Sequence, residues 1–404
     1  MTIRMDEGAA ELLDTLHRAG YAAYVVGGCV RDSLLGLTPH DWDLCTSALP
    51  QQVMELFGAQ RCIPTGLQHG TVTVKQSGAL YEITTFRTEG TYTDGRHPDE
   101  VHFVPDVRED LARRDLTINA MAYNEKEGLV DPFGGQADLQ SGIVRAVGVP
   151  RQRFTEDALR ILRLYRFAAR FGFSIDPPTA QAAQELCAHL DCVSVERIEE
   201  ELAKLLSAPA PAAYLDEKIL GVVLPELSPE ALAAAKPVVD ACPAGEQALP
   251  VRLAALLLSI GEDGTRRTLR RLRCSNACIE ETAVLVREVV PGVPVSLNIY
   301  ARRLLGRYNL CTVQRLAALG TALQPERSAD FAALSELAER LDADGVCCRV
   351  SQLAVNGRDL MAAGVPAGPG IRKVLEALLD GVIREEYPNE RQALLAAVQQ
   401  LAAS

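Results

Sequence analysis

The chain has 404 residues, long enough for two to four domains, with 48% hydrophobic residues and a formal net charge of −12. No apolar run approaches the ~20 residues of a bilayer-spanning helix and MTIRMDEGAA lacks an apolar signal core, so a cytoplasmic protein without a membrane partner is expected. The 11 cysteines are odd in number and form no CxxC pair, which argues for reduced thiols over disulfides or zinc, and the acidic average argues against a polyanionic partner unless basic charge is gathered locally.

The first ~140 residues read as α/β, because YAAYVV, HGTVTVK and LYEITTF alternate with period two between turn signals. A strand ending at Gly27 and Gly28 and entering a helix can bring backbone N–H groups against phosphate oxygens, with Arg31 close by to add charge; a plain turn is the other reading. HDWDLCT has strand-like alternation, so Asp41 and Asp43 are expected on one face. Two adjacent carboxylates repel, and a hard divalent cation such as Mg²⁺ relieves that repulsion while binding nucleotide phosphates. An acidic turn is the competing account. Glu82 in LYEITTF is the candidate third carboxylate, or else a solvated edge-strand residue. RTEGTYTDGRHPD, from Arg87 to Asp99, is rich in turn residues.

Beyond Pro150 nearly everything has helical spacing, broken near SIDPPTA, SAPAPAA, DACPAGE and AAGVPAGPG. Thr155 is expected to cap a helix carrying Glu156 and Asp157 in its first turn. Asp157 and Arg160 are then neighbours on one surface, placing an acceptor beside donors. Cytosine and adenine present an exocyclic amine beside a ring-nitrogen acceptor, whereas uracil and guanine present a carbonyl beside a ring N–H, so the pair fits C and A and rejects U and G. Arg163 and Arg166 continue the spacing of three, but each step turns about 300°, which leaves Arg166 half a turn from Asp157. Between Thr265 and Arg307 nine Arg stand against three Glu, a local balance of +6, in helices that could meet RNA phosphates or simply face solvent. All six His lie at or before His189, so the C-terminal half has none for acid-base work.

Taken together, GGCVRDSLLG and HDWDLCTSA resemble motif A of the polymerase β nucleotidyltransferase superfamily, in the class II branch of bacterial tRNA CCA-adding enzymes and poly(A) polymerases. RRDLTINAMAYN, DPFGGQADL, EDALRILRLYRFAARFGF and SVERIEEEL resemble motifs B to E in order, and NGRDLMAAGVPAGPGIRKVLEALLDGVI resembles the tail of CCA-adding enzymes. The resemblance implies an α+β fold: a polymerase β-like head on a small mixed sheet (1–140), then an elongated all-α neck for base recognition (141–205), a body (206–310) and a tail (311–404), the last two binding tRNA. It implies CTP and ATP as substrates, the tRNA 3′ end as acceptor, no protein partner, and Asp41 and Asp43 holding two Mg²⁺ ions. It assigns Arg114 to phosphate, Asp115 and Asn119 to the ribose, and Asp157, Arg160, Arg163 and Arg166 to the nucleotide. The segment from Arg87 to Asp99 resembles the flexible loop that helps switch from CTP to ATP. CIPTGLQHGTVTV replaces the basic segment usual in poly(A) polymerases, and LAALLLSIGED lacks the His-Asp pair of an appended phosphohydrolase. A poly(A) polymerase, an A- or CC-adding specialist, a small-molecule nucleotidyltransferase and a catalytically inactive tRNA-binding factor remain as alternatives.

Overall fold

A computed structural model describes residues 3–90, 100–289 and 296–401. The chain divides into two compact units, Met1–Pro229 and Glu230–Ser404. The first is built on a seven-stranded sheet. Its strands are β1 (Ala23–Val26), β2 (Leu44–Thr46), β3 (Cys62–Gly66), β4 (Thr71–Gln76) and β5 (Ala79–Thr85), followed after the separate ribbon β6 (Arg87–Glu89) and β7 (Val101–Phe103) by β8 (Ala122–Asn124) and β9 (Gly128–Val130). The order is β3-β4-β5-β2-β1-β8-β9. β2 and β5 pair in parallel and every other neighbour is antiparallel, so the sheet is mixed, as the sequence led one to expect.

All four residues of β1 are buried, because both faces of the sheet are covered there. Tyr24 and Val26 enter a core with Cys45, Phe86, Val107, Leu111 and Ala122, which leaves Ala23 and Val25 to the other face. The helix α1 (Glu7–Arg18), capped by the Asp6 carboxylate on the N–H groups of Gly8 and Ala9, buries Leu12, Leu13 and Leu16 and packs on β1. The short helices α2 (Gly28–Leu34), α3 (Pro50–Phe57), α4 (Val107–Ala112) and α5 (Gly135–Ser141) connect the strands. The ribbon β6–β7 flanks the loop read as the CTP-to-ATP switch, whose residues 91–99 lie outside the described residues.

From Pro150 onward the first unit is helical, with α6 (Pro150–Glu156), α7 (Leu159–Phe171), α8 (Pro177–Leu186), α9 (Val195–Leu206) and α10 (Glu217–Val223). One small departure from the expected all-α texture is a parallel pair of two-residue strands, β10 (Ile143–Val144) and β11 (Ser174–Ile175). The boundary helix α11 (Pro229–Ala241) leads into the second unit, whose helices are α12 (Leu249–Leu257), α13 (Gly261–Arg271), α14 (Asn276–Glu288), α15 (Leu297–Arg307), α16 (Leu310–Leu323), α17 (Ser328–Ala343), α18 (Gly357–Ala362), α19 (Gly370–Ile383) and α20 (Arg391–Leu401). Leu353, Leu360, Leu378 and Leu394 centre a hydrophobic core near its end. All 11 cysteines are free thiols, and no described helix is long and apolar enough to cross a membrane.

Candidate active site

β1 ends at Val26 because its neighbours end there too: the Val26 N–H donates to the Asp43 carbonyl at 2.9 Å and the Gly27 N–H to the Met121 carbonyl at 3.0 Å. The strand predicted from HDWDLCT is consequently shorter than expected. Its ladder with β1 begins only at Leu44 opposite Val25, so Asp41 and Asp43 precede β2 rather than belong to it. Parallel pairing then supplies what the sequence did not display. Leu44 is in register with Ile83, and one residue back that register brings Asp43 beside Glu82. The Asp43 carboxyl is pushed up to about 6, first by lost hydration and then by the negative charges of Asp41 and Glu82. Its side chain still has solvent access, so the crowding is electrostatic rather than steric.

Among the described residues no three His, Cys, Asp or Glu side chains close a metal shell by themselves. Two mutually repelling, accessible carboxylates nevertheless fit a cation such as Mg²⁺, which is held by one or two carboxylates and completes its coordination with water and phosphate oxygens. Glu82 is close enough to act on Asp43, but it does not join the aspartates in a three-ligand group.

Gly27 adopts φ +79°, and a Cβ there would come within 2.8 Å of Arg114 Nη1. The backbone conformation requires the glycine, and a side chain there would also push the Arg114 guanidinium from its place. Arg114 also acts on Asp43, offsetting part of its upward shift, and thus lies between the carboxylates and the pocket described below. Gly28 opens α2, and Arg31 follows on its first turn. The expected free charge beside phosphates is not what Arg31 presents. It is 4% exposed, bonded to Asp32 and Asn119.

Asp115 and Asn119 frame a 3₁₀ turn, Thr117–Asn119, and are both buried. The Asn119 amide donates to Asp115 Oδ1 at 3.2 Å, and Arg163 Nε donates to Asp115 Oδ2 at 2.7 Å. Burial would raise the Asp115 carboxyl, but the charge and hydrogen bond of Arg163, with Asn119 and Arg160 behind it, hold it well below the usual carboxylate range. The turn rests on DPFGGQADL. Thr117 Oγ1 donates to Asp138 at 2.6 Å, Arg145 bridges Asp138 to Asp176, and a Cβ on Gly135 would fall 2.2 Å from the Thr117 carbonyl oxygen. Gly135→Ala must therefore displace either α5 or the turn, with an expected loss of about 1–3 kcal/mol in denaturant unfolding and weakened nucleotide binding.

The helix start predicted at Thr155 is a helix end. Pro150 initiates α6, the Thr155 hydroxyl bonds back to the Arg151 carbonyl, and the chain turns extended at Asp157 (φ −144°, ψ 105°) before α7 begins. Asp157 instead caps α7, its Oδ1 accepting from the Leu159 N–H at 3.0 Å. Asp157 and Arg160 do share a surface, but their side chains take other partners. Asp157 pairs with Arg197 of α9 at 2.7 Å and Arg160 with Glu156 at 2.6 Å. Together with Arg113, Arg114, Asp115, Leu159, Arg163 and Arg197 they line a cavity of about 290 Å³. Its lining carries five arginines and two aspartates, and Asp110, Glu156 and Glu201 pair with Arg113, Arg160 and Arg163 from outside it, so the arginines are held in place by acids rather than left as a net positive charge. Arg166 is outside it, bonded to Glu201 at 2.5 Å with its guanidinium 3.9 Å from the Phe167 ring centre. Arg163 also reaches Glu201, at 3.7 Å. Sequence reasoning named neither Arg113 and Arg197, which line the cavity, nor Glu201, which holds Arg163 and Arg166, although RRDLTINAMAYN and SVERIEEEL, which contain them, carried motif resemblances.

Residues 23–145 match the family described as the poly A polymerase head domain, and 251–398 match tRNA nucleotidyltransferase domain 2. The CCA-adding enzyme of Lactiplantibacillus plantarum is 37% identical over 397 residues, covering 96% of this chain and 95% of that protein. The CCA-adding enzyme family includes this chain. Another member, from Geobacillus thermodenitrificans, is 36% identical over 395 residues, covering 96% of this chain and 95% of that enzyme. The crystal structure of the Bacillus stearothermophilus CCA-adding enzyme in complex with CTP superposes with a TM-score of 0.82 at 30% identity, across 99% of this chain and 98% of that one. The protein is thus a tRNA nucleotidyltransferase, and CCA-adding enzymes as a family are metal-dependent.

Proposed function

We propose that this CCA-adding enzyme builds the 3′-terminal CCA of tRNA from CTP and ATP without a nucleic-acid template, releasing pyrophosphate, in the cytoplasm. The observation that carries the reading is the continuity from Asp43 through Arg114 to the arginine-lined cavity around Asp157 and Arg160. Asp41 and Asp43 would hold Mg²⁺, which when bound offsets charge on the triphosphate and favours attack by the RNA 3′-hydroxyl. Arg114, lying over Gly27, would donate to phosphate oxygens. Asp115, kept ionised by Arg163, serves with Asn119 as acceptor and donor for ribose hydroxyls. Asp157 accepts from the exocyclic amine of C or A while Arg160 donates to the adjacent ring nitrogen.

Within the arginine-rich helices, Arg266, Arg287, Arg302, Arg303 and Arg307 are paired to acidic side chains. The exposed Arg267 and Arg270 of α13 are the better candidates for tRNA phosphate contacts. The test is incorporation of labelled CTP and ATP into tRNA lacking its 3′ end, resolved at single-nucleotide length. Addition of C, C and A in turn is the expected result. A single A, a stop after CC, or a long A ladder would each replace the reading with a different specialist.

A further inference from the structure

Asp110, on α4, is fully buried at 0% exposure, and two consecutive arginines turn toward its carboxylate. Its two oxygens are used unequally. Oδ1 accepts from Arg113 Nε at 3.0 Å, with Nη2 of the same side chain at 2.9 Å, and from the Arg87 N–H at 3.3 Å, where β6 begins. Oδ2 is buried and, among the described residues, accepts no hydrogen bond, yet it lies 3.6 Å from Arg114 Nη2.

Arg114 is spent as sparingly. Its Nη1 makes one long contact, 3.5 Å to the Asn119 carbonyl, and its buried Nε has no hydrogen-bond partner among the described residues. A guanidinium carries five donors and no acceptor, so most of those of Arg114 stay open to a ligand. What holds it over Gly27 is charge: a carboxylate near enough to attract it and too far to occupy its N–H groups. The helix that presents the carboxylate is itself fixed, because the Ala112 and Arg113 carbonyls at its end accept from Arg153 at 3.0 Å and Arg160 at 3.1 Å.

We propose that Asp110 is a positioning residue for the triphosphate: its buried charge sets the place and direction of the Arg114 guanidinium without consuming the donors that phosphate oxygens need, and it touches no substrate itself. This rests on the reading of Arg114 as a phosphate ligand. Asparagine cannot take over the role. With its amide oxygen kept toward Arg113 and the Arg87 N–H, its amino group would replace Oδ2 and set a donor against the donors of Arg114.

The experiment measures the inhibition constant of pyrophosphate and KM for CTP and ATP on tRNA lacking its 3′ end, with thermal melting, for the parent, Arg114→Gln, Asp110→Asn, the double variant and Asp110→Glu. Arg114→Gln is read first and should weaken pyrophosphate inhibition by about 30-fold. Without that loss the phosphate reading of Arg114 fails and takes the proposal with it. Asp110→Asn should raise the inhibition constant and both KM values by about tenfold, while the CTP over UTP preference shifts by less than about twofold. In the double variant the Asp110 change should add less than about twofold to the loss from Arg114→Gln, because it acts through that side chain. A full tenfold addition there would make Asp110 structural only. Unchanged inhibition in Asp110→Asn, beside a weakened Arg114→Gln, would overturn the positioning role and leave the phosphate reading standing. Should Asp110→Asn fail to fold, Asp110→Glu keeps a charge for Arg113 but carries the carboxylate one methylene further, and it should raise the constant by about threefold; parental inhibition in that variant overturns the proposal as well.

Discussion

Asp41→Ala should reduce CTP and ATP incorporation by on the order of a thousandfold or more, with no loss of stability. The reasoning separates two roles that usually coincide. Asp41 is exposed, so its removal leaves no cavity. It also repels Asp43, so a chain lacking it should melt at or slightly above the parent temperature in metal-free buffer. What disappears is one of the two acceptors available to a divalent cation. Single-turnover incorporation at saturating nucleotide, measured beside a melting curve, checks both halves. Normal turnover would remove Asp41 from the chemistry, whereas a collapsed melting temperature would make it structural.

Asp157→Ala is the second change with a large expected effect. Discrimination against UTP and GTP should fall by about 10- to 100-fold, because the group that accepts from the exocyclic amine of C or A is gone. The structure adds a cost that the sequence did not announce. Asp157 caps α7 and neutralises Arg197, so the variant should also lose about 1 kcal/mol of stability. Asp157→Asn tells the two effects apart. It keeps an oxygen for the Leu159 N–H and so should recover the cap, yet it brings no charge to Arg197 and an added donor toward the base. Competition of each nucleotide against CTP, with denaturant unfolding of both variants, gives the comparison. Base preference that survives in Asp157→Ala would remove the edge-reading role.

Local chemistry was legible in the sequence wherever the partners are close in the chain. Asp41 and Asp43 are two apart, Gly27 and Gly28 adjoin the strand they terminate, and the helical texture beyond Pro150 follows from spacing alone. The boundary at Thr155 was misread because a threonine followed by two acids is a good start signal, and nothing local says that Pro150 has already begun a helix that the threonine will end. Partners far apart in sequence were invisible for a different reason. Asp157 and Arg160, three residues apart, were read together as an acceptor and donor facing a base, but α9 brings Arg197 to Asp157 from forty residues downstream. Arg31 was read as added charge beside phosphates because it follows the two glycines closely; only the packing of α7 against α2 reveals the two rings, and the Asp32 and Asn119 contacts, that bury it.

The parallel pairing of β2 with β5 bears on how this head tolerates change. Asp43 meets Glu82 through strand register, so the thirty or so residues between Thr46 and Ala79 can lengthen or shorten by insertion at their loops without disturbing the carboxylates. Deleting Leu44 would instead slide Asp43 one position along the ladder with Cys45 held in register, and so turn the acid to the opposite face of the sheet, a frame error written in three dimensions.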